Sequence, residues 1–222
     1  MQIAGLVKNS FVDYPGYIAA TLFVPGCNMD CFYCHNKHIW HTNELLPEKE
    51  IFDFLDSHIG FLDGVVITGG EPTLQRDLLQ FIKRVRLLGY KIKLDTNGLL
   101  PQILEKLIKD LDYIAMDIKA PLGEYSKIQS MKIKEENIKK SIDLITLSGV
   151  DYEFRTTFAP QLSVFDIEKI AIQLMGAKRY AIQQYRRENE NKIALAPHSK
   201  EIVEQAAEGA RKHLVNVIMR GL

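Results

Sequence analysis

Cys27, Cys31 and Cys34 stand within eight positions of one another, in the stretch Pro25-Gly26-Cys27-Asn28-Met29-Asp30-Cys31-Phe32-Tyr33-Cys34-His35-Asn36, and they are the only cysteines in 222 residues. An ordinary buried cysteine is a small hydrophobe that can sit anywhere in a core. Thiols collected on one short loop are instead a metal-binding proposal. Two centres suit the spacing C-x3-C-x2-C. A zinc ion would take three thiolates and a fourth ligand from His35, His38 or His41. A four-iron cluster held by three cysteines would leave one iron without a protein ligand, and that iron would be open to chemistry. The spacing alone leaves both open.

Four further groups carry polar residues where apolar ones would be cheaper. Gly69-Gly70-Glu71-Pro72 lets a small ligand approach the backbone, and the Glu71 carboxylate can bind an ammonium; read blandly, it is a turn before a helix. Asp95-Thr96-Asn97-Gly98 suits hydroxyl groups or a cation, or is simply a polar turn. Asp117 and Lys119 flank Ile118 and point to one side of a strand, where an ion pair at the end of a buried strand is costly unless it serves a ligand. Arg155 interrupts the run Tyr152–Thr157 and could clamp a carboxylate or pair with a nearby acid.

These residues need a scaffold, and the apolar patterning supplies one. Tyr17–Val24, Val65–Thr68, Lys91–Leu94, Tyr113–Met116, Tyr152–Thr157 and Arg179–Gln183 read as strands. Helices are expected over Pro47–Ser57, Leu74–Leu88, Pro101 to about Lys109, about Glu135 to Ser148, Asp166–Met175 and Lys200–His213, with a short terminal strand at Leu214–Met219. Phe11-Val12-Asp13-Tyr14-Pro15-Gly16 reads as a turn, and Pro121–Met131 as a less regular stretch. Six strand-then-helix units predict an α/β fold with a parallel sheet covered by helices, either doubly wound or of the (β/α)₈ barrel type with two units missing. In both, functional residues gather at the C-terminal ends of the strands, where the cysteine loop and the four polar groups fall. No boundary or repeat divides residues 1–222, so a single domain is expected.

Composition narrows the function further. With 28 basic and 28 acidic residues, no global field attracts nucleic acid or anionic lipid. The N-terminus lacks a basic stretch followed by a long apolar one, and no run reaches membrane-span length, so a cytoplasmic location is expected. An odd number of cysteines argues against a disulfide framework. P-loop, GxGxxG, HExxH and GxSxG patterns are absent, which disfavours nucleotide hydrolysis, classical dinucleotide binding, zincin and serine hydrolase activities.

Cys27-x3-Cys31-x2-Cys34 with aromatic Tyr33, together with Gly69-Gly70-Glu71-Pro72, resembles the radical S-adenosylmethionine superfamily. Asp13-Tyr14-Pro15-Gly16, Cys34-His35-Asn36, Asp95-Thr96-Asn97-Gly98 and Asp117-Ile118-Lys119 are similar to the glycyl-radical-enzyme activases. Phe154-Arg155-Thr156-Thr157 adds a similarity to those serving anaerobic ribonucleoside-triphosphate reductase. The resemblance runs from about Gly5 to Arg186 and implies a partial (β/α)₆ barrel. It also implies a [4Fe–4S] cluster on Cys27, Cys31 and Cys34, with S-adenosylmethionine chelating the fourth iron. Tyr33 would lie against the adenine, Gly69, Gly70 and Glu71 at the methionine amine, Thr96 and Asn97 near the ribose, and Asp117, Lys119 and Arg155 on the ribose or carboxylate side.

A monovalent cation at Asp95, Thr96 and Asp117 is a further implication, as is an electron from a flavodoxin- or ferredoxin-type donor. The product radical would oxidise a glycine of a partner enzyme. One departure concerns the end of the sixth strand, where Tyr185-Arg186 stand in place of a histidine found in relatives. The alternatives are an activase of the pyruvate formate-lyase type, a radical enzyme acting on a small molecule, and a non-catalytic zinc module. The absence of further cysteines disfavours activases that need additional clusters.

Overall fold

A computed structural model describes residues 1–187 and 195–222. The strands are β1 (Gly5–Ser10), β2 (Ala19–Val24), β3 (Gly64–Gly69), β4 (Lys91–Thr96), β5 (Tyr113–Asp117), β6 (Asp151–Phe158), β7 (Tyr180–Gln184) and β8 (Val217–Arg220). The helices are α1 (Glu48–Ser57), α2 (Leu78–Leu87), α3 (Pro101–Leu107), α4 (Glu135–Leu147), α5 (Val164–Gln173) and α6 (Lys200–Arg211). Among the described residues β2 to α6 make six strand-then-helix units, and the sheet order follows the chain from β1 to β8. A doubly wound sheet reverses its order at a switch point. No reversal occurs here, so the fold is α/β of the partial (β/α)₆ barrel type. Among the described residues no helix is long and apolar enough to cross a membrane.

The chain forms two compact units and crosses between them repeatedly. One comprises Met1–Asn28, Asn36–Thr96 and Leu100–Ala115; the other comprises Met29–His35, Asn97–Leu99 and Met116–Leu222.

In the first unit β2, β3 and β4 run parallel, with Leu22 beside Ile67 and Ile67 beside Leu94. Ala19, Ala20, Leu22 and Val24 are fully buried, as are Val65, Val66 and Ile67, and Ile92 and Leu94. Burial on both faces is what makes such strands read as unbroken apolar runs. The strand β1 was not expected from the sequence; it pairs antiparallel to β2, with Gly5 beside Phe23. As a half-exposed edge strand carrying Lys8 and Asn9, it has no buried run to announce it.

The Asp-Tyr-Pro-Gly turn has a packing task at the N-terminal ends of the strands. It drives Tyr14 into a cluster with Ala19, Val66, Tyr113 and Ala115, while Asp13 accepts a hydrogen bond from the Thr21 hydroxyl at 2.8 Å. The helix expected from Leu74 begins only at Leu78. Its first turn is replaced by a tight turn over Pro72–Leu74, where Glu71 Oε1 accepts the Thr73 N–H at 3.1 Å. That side chain satisfies a donor the helix would otherwise leave bare and redirects the chain.

In the second unit β6, β7 and β8 run parallel, with Phe154 beside Tyr180 and Tyr180 beside Val217. Arg220 fastens β8 by donating from both terminal nitrogens to the buried Glu153 carboxylate, at 2.7 and 2.6 Å, a bidentate geometry that fixes direction as well as distance. A reciprocal capping box of Ser163 and Asp166 starts α5 two residues before the expected position. Ser199 caps α6 by accepting from the Ile202 N–H.

Candidate active site

The first unit gathers the entry to the cysteine loop and two of the polar turns. After β2 the chain passes through Pro25 and Gly26, where φ of +79° favours glycine, to reach Cys27. The Gly-Gly-Glu-Pro turn is stitched to this entry. The Gly70 N–H donates to Val24 O and the Glu71 N–H donates to Gly26 O, both at 2.8 Å. The fit demands the second glycine, because a β-carbon on Gly70 would stand 1.9 Å from Gly26 O. The far end of the loop is tied to the same turn, since Asn36 Nδ2 donates to Gly69 O at 2.8 Å. The Cys34-His35-Asn36 motif thereby acquires a physical reason.

Glu71 is buried, with 1% of its surface exposed. Its Oε1 accepts from the Thr73 hydroxyl at 2.5 Å and from the Thr96 hydroxyl at 2.8 Å. The carboxylate therefore links the Gly-Gly-Glu-Pro turn to the end of β4. Next to it, Asp95 accepts from the Thr68 hydroxyl at 3.1 Å and pairs with the ammonium of Lys93. Lys93 was not singled out in the sequence.

The second unit holds the rest of the cysteine loop. Cys31 and Cys34 are joined by a tight turn in which the Cys34 N–H donates to Cys31 O at 3.1 Å. The irregular stretch before α4 braces this turn: Cys31 forms an isolated antiparallel bridge with Gln129, and the Phe32 N–H donates to Ile128 O at 3.2 Å. Pairing between segments so distant in sequence leaves no local signal. Tyr33 is buried, and its hydroxyl has no hydrogen-bond partner among the described residues. The same holds for Tyr185, whose ring meets that of Tyr33 edge-on at 6.5 Å. Burial pushes the Tyr33 phenol above its usual range, against the opposing influence of Lys119.

Lys119 Nζ lies 5.8 Å from the centre of the Tyr33 ring, within reach of a cation–π attraction. It also donates to Asp117 Oδ2 at 3.0 Å, while Arg155 Nε donates to Asp117 Oδ1 at 2.8 Å. Burial works to raise the Asp117 pKa, but the adjoining Arg155 and Lys119 hold the carboxyl well below the usual carboxylate range. In Lys119 burial works the other way and is overcome by Asp117, leaving the ammonium pKa raised. Arg155 and Lys119 thus converge on the one carboxylate of Asp117. Asn97 is buried and accepts the Leu99 N–H at 3.0 Å. The neighbouring Gly98 is held from α4, where the Ser141 hydroxyl donates to its carbonyl at 2.7 Å.

Of the twelve expected site residues, eleven lie at or beyond the C-terminal ends of strands or on the cysteine loop, whereas Arg155 stands within β6, three residues before its last residue Phe158. Cys27, Gly69, Gly70, Glu71 and Thr96 belong to the first unit, and Cys31, Tyr33, Cys34, Asn97, Asp117, Lys119 and Arg155 to the second. His35, His38 and His41 are exposed. Among the described residues no three histidine, cysteine, aspartate or glutamate side chains converge as ligands of a single metal ion.

The family model of the radical SAM superfamily matches residues 21–173. A protein of Methanocaldococcus jannaschii, named as a candidate glycyl-radical enzyme activating enzyme, is 36% identical over 230 aligned positions, covering 98% of this chain and 95% of its own. A second protein of that organism with the same designation is 33% identical, covering 89% of this chain and 78% of its own. The crystal structure of Streptococcus suis SuiB superposes with a TM-score of 0.70 over 90% of this chain at 15% identity. The chain spans about half of SuiB's length, 48%.

Proposed function

The chain belongs to the radical SAM superfamily and is an enzyme of that family, and from this premise we propose that it is the activase of a glycyl-radical enzyme. The superfamily implies a [4Fe–4S] cluster and S-adenosylmethionine, and the residues present fit both. Three thiols on one loop form a soft donor set suited to iron–sulfur ligation. The buried, unpartnered hydroxyl of Tyr33 beside that loop is a polar atom left over for a bound group. We assign Cys27, Cys31 and Cys34 to the cluster. When bound, the pair of cofactors supplies one-electron cleavage of the sulfonium to methionine and a 5′-deoxyadenosyl radical.

The protein's own residues orient and seal that chemistry. Gly69, Gly70 and Glu71 receive the methionine amine, and the glycines keep the turn flush against the cysteine loop. Arg155 and Lys119, held by Asp117, offer N–H donors to the methionine carboxylate or the ribose side. Tyr33 lies against the adenine, and Thr96 and Asn97 border the ribose. Burial of Tyr33, Glu71, Thr96 and Asn97 keeps water from a reactive radical.

The activase reading rests on the Methanocaldococcus relative, which matches nearly end to end. The partner is a glycyl-radical enzyme, with anaerobic ribonucleoside-triphosphate reductase favoured by the Phe154-Arg155-Thr156-Thr157 and Asp-Tyr-Pro-Gly similarities. The electron comes from a flavodoxin- or ferredoxin-type donor. Anaerobic reconstitution with iron and sulfide tests the cofactor assignment. The protein should turn brown with broad visible absorption and, once reduced, convert S-adenosylmethionine to 5′-deoxyadenosine. A colourless protein carrying stoichiometric zinc would overturn the reading.

A further inference from the structure

Lys93 is a charge placed where the pattern calls for a hydrophobe. It lies in β4 between the fully buried Ile92 and Leu94, and only 2% of its side chain is exposed. Burying an ammonium is costly even when it is paired, and an apolar residue of similar volume often serves stability as well. Its position suggests what it is for. Two residues along a strand point the same way, so the Lys93 ammonium meets Asp95 Oδ1 while the Thr68 hydroxyl donates to Asp95 Oδ2 at 3.1 Å.

Asp95 opens the Asp-Thr-Asn-Gly turn, and the next residue, Thr96, holds Glu71 at 2.8 Å. Glu71 in turn fixes the Gly-Gly-Glu-Pro turn through Thr73. The buried lysine thus stands beneath a run of contacts, all within the first unit, that sets the end of β4 against the end of β3.

We propose that Lys93 is a built-in monovalent cation. Its tethered ammonium does at Asp95 what a bound potassium or sodium ion would do, neutralising the carboxylate and fixing the turn, and its charge repels a free ion from that carboxylate. The monovalent cation that the sequence resemblance implied at Asp95 is then a side chain, and Lys93 is a positioning residue. This inference does not depend on which substrate the enzyme activates.

The test is thermal unfolding of the full-length chain, without cluster, at constant ionic strength, exchanging choline for sodium, potassium, ammonium or methylammonium. The unaltered chain should melt at one temperature in all of them. Lys93→Ala should melt about 10 °C lower in choline, as expected when one partner of a buried pair is lost. It should recover at least half of that loss, saturably, in potassium or an ammonium ion. Lys93→Ala/Asp95→Asn should show a smaller loss and no recovery. The proposal is overturned by saturable stabilisation of the unaltered chain. It is equally overturned by a Lys93→Ala variant indifferent to the cation, including one unfolded in every salt, or by a double variant that responds as the single one does.

Discussion

Cys31→Ala is expected to abolish S-adenosylmethionine cleavage while leaving the fold in place. Cys31 is buried but small, and its pairing with Gln129 runs through the backbone, which alanine retains. Removing one sulfur from a packed site should cost about 1 kcal/mol, a fall of roughly 2–4 °C in midpoint for a chain of this size. The effect on chemistry should be of a different order. A cluster deprived of one of three thiolates loses its anchorage, so the visible absorption after reconstitution and the formation of 5′-deoxyadenosine should both vanish. Circular dichroism of the variant should overlay that of the parent. Retained turnover would contradict the cluster assignment.

The second large effect concerns Asp117. Asp117→Asn removes the charged carboxylate that the guanidinium of Arg155 and the ammonium of Lys119 share. With Asp117 at 26% exposure, the loss should fall near the lower end for a broken buried pair, about 3 kcal/mol, or roughly 6–12 °C in midpoint. Its pH dependence follows from the direction of the shifts. The folded-state pKa of Asp117 is depressed, so its contribution is fully present above the unfolded value, about 3.9, and is lost as pH falls through the folded value. The folded-state pKa of Lys119 is raised, so its contribution is present below the unfolded value, about 10.4, and is lost as pH rises through the folded one. Melts of parent and variant should therefore differ by a constant amount between about pH 4 and pH 10, and the gap should narrow in stronger acid. A gap unchanged far below pH 4 would show that the charge on Asp117 is not what stabilises the unit.

Much of the scaffold was legible because buried parallel strands write themselves as apolar runs. Val65–Thr68 and Lys91–Leu94 were found this way, and the Gly-Gly-Glu-Pro, Asp-Thr-Asn-Gly and Asp-Ile-Lys groups lie at the ends of β3, β4 and β5, where the alternation put them. What escaped lacks a local signature. The β1 strand is an edge with one half-exposed face, so its pattern resembles a loop. Helical periodicity continues upstream of α2, but the tight turn that Glu71 enforces overrides it. The bridge between Cys31 and Gln129 joins segments nearly one hundred positions apart. Tyr14 was read as part of a turn and is in fact a core residue, because the turn drives its ring against Ala19, Val66, Tyr113 and Ala115. Lys93 and Asp95 have the same spacing that drew attention to Asp117 and Lys119. Asp95 was marked as part of its turn, but Lys93 was passed over because the lysine hides inside an apolar strand, where only burial in three dimensions reveals its charge as an anomaly.

The central claim is that this enzyme makes a glycyl radical on another protein. Electron paramagnetic resonance tests it most directly: the reconstituted, reduced protein is incubated anaerobically with S-adenosylmethionine and anaerobic ribonucleoside-triphosphate reductase. The expected result is a glycine-centred doublet that is absent without S-adenosylmethionine and absent with Cys31→Ala. Cleavage of S-adenosylmethionine with no doublet on this reductase or on any other glycyl-radical enzyme would contradict the claim.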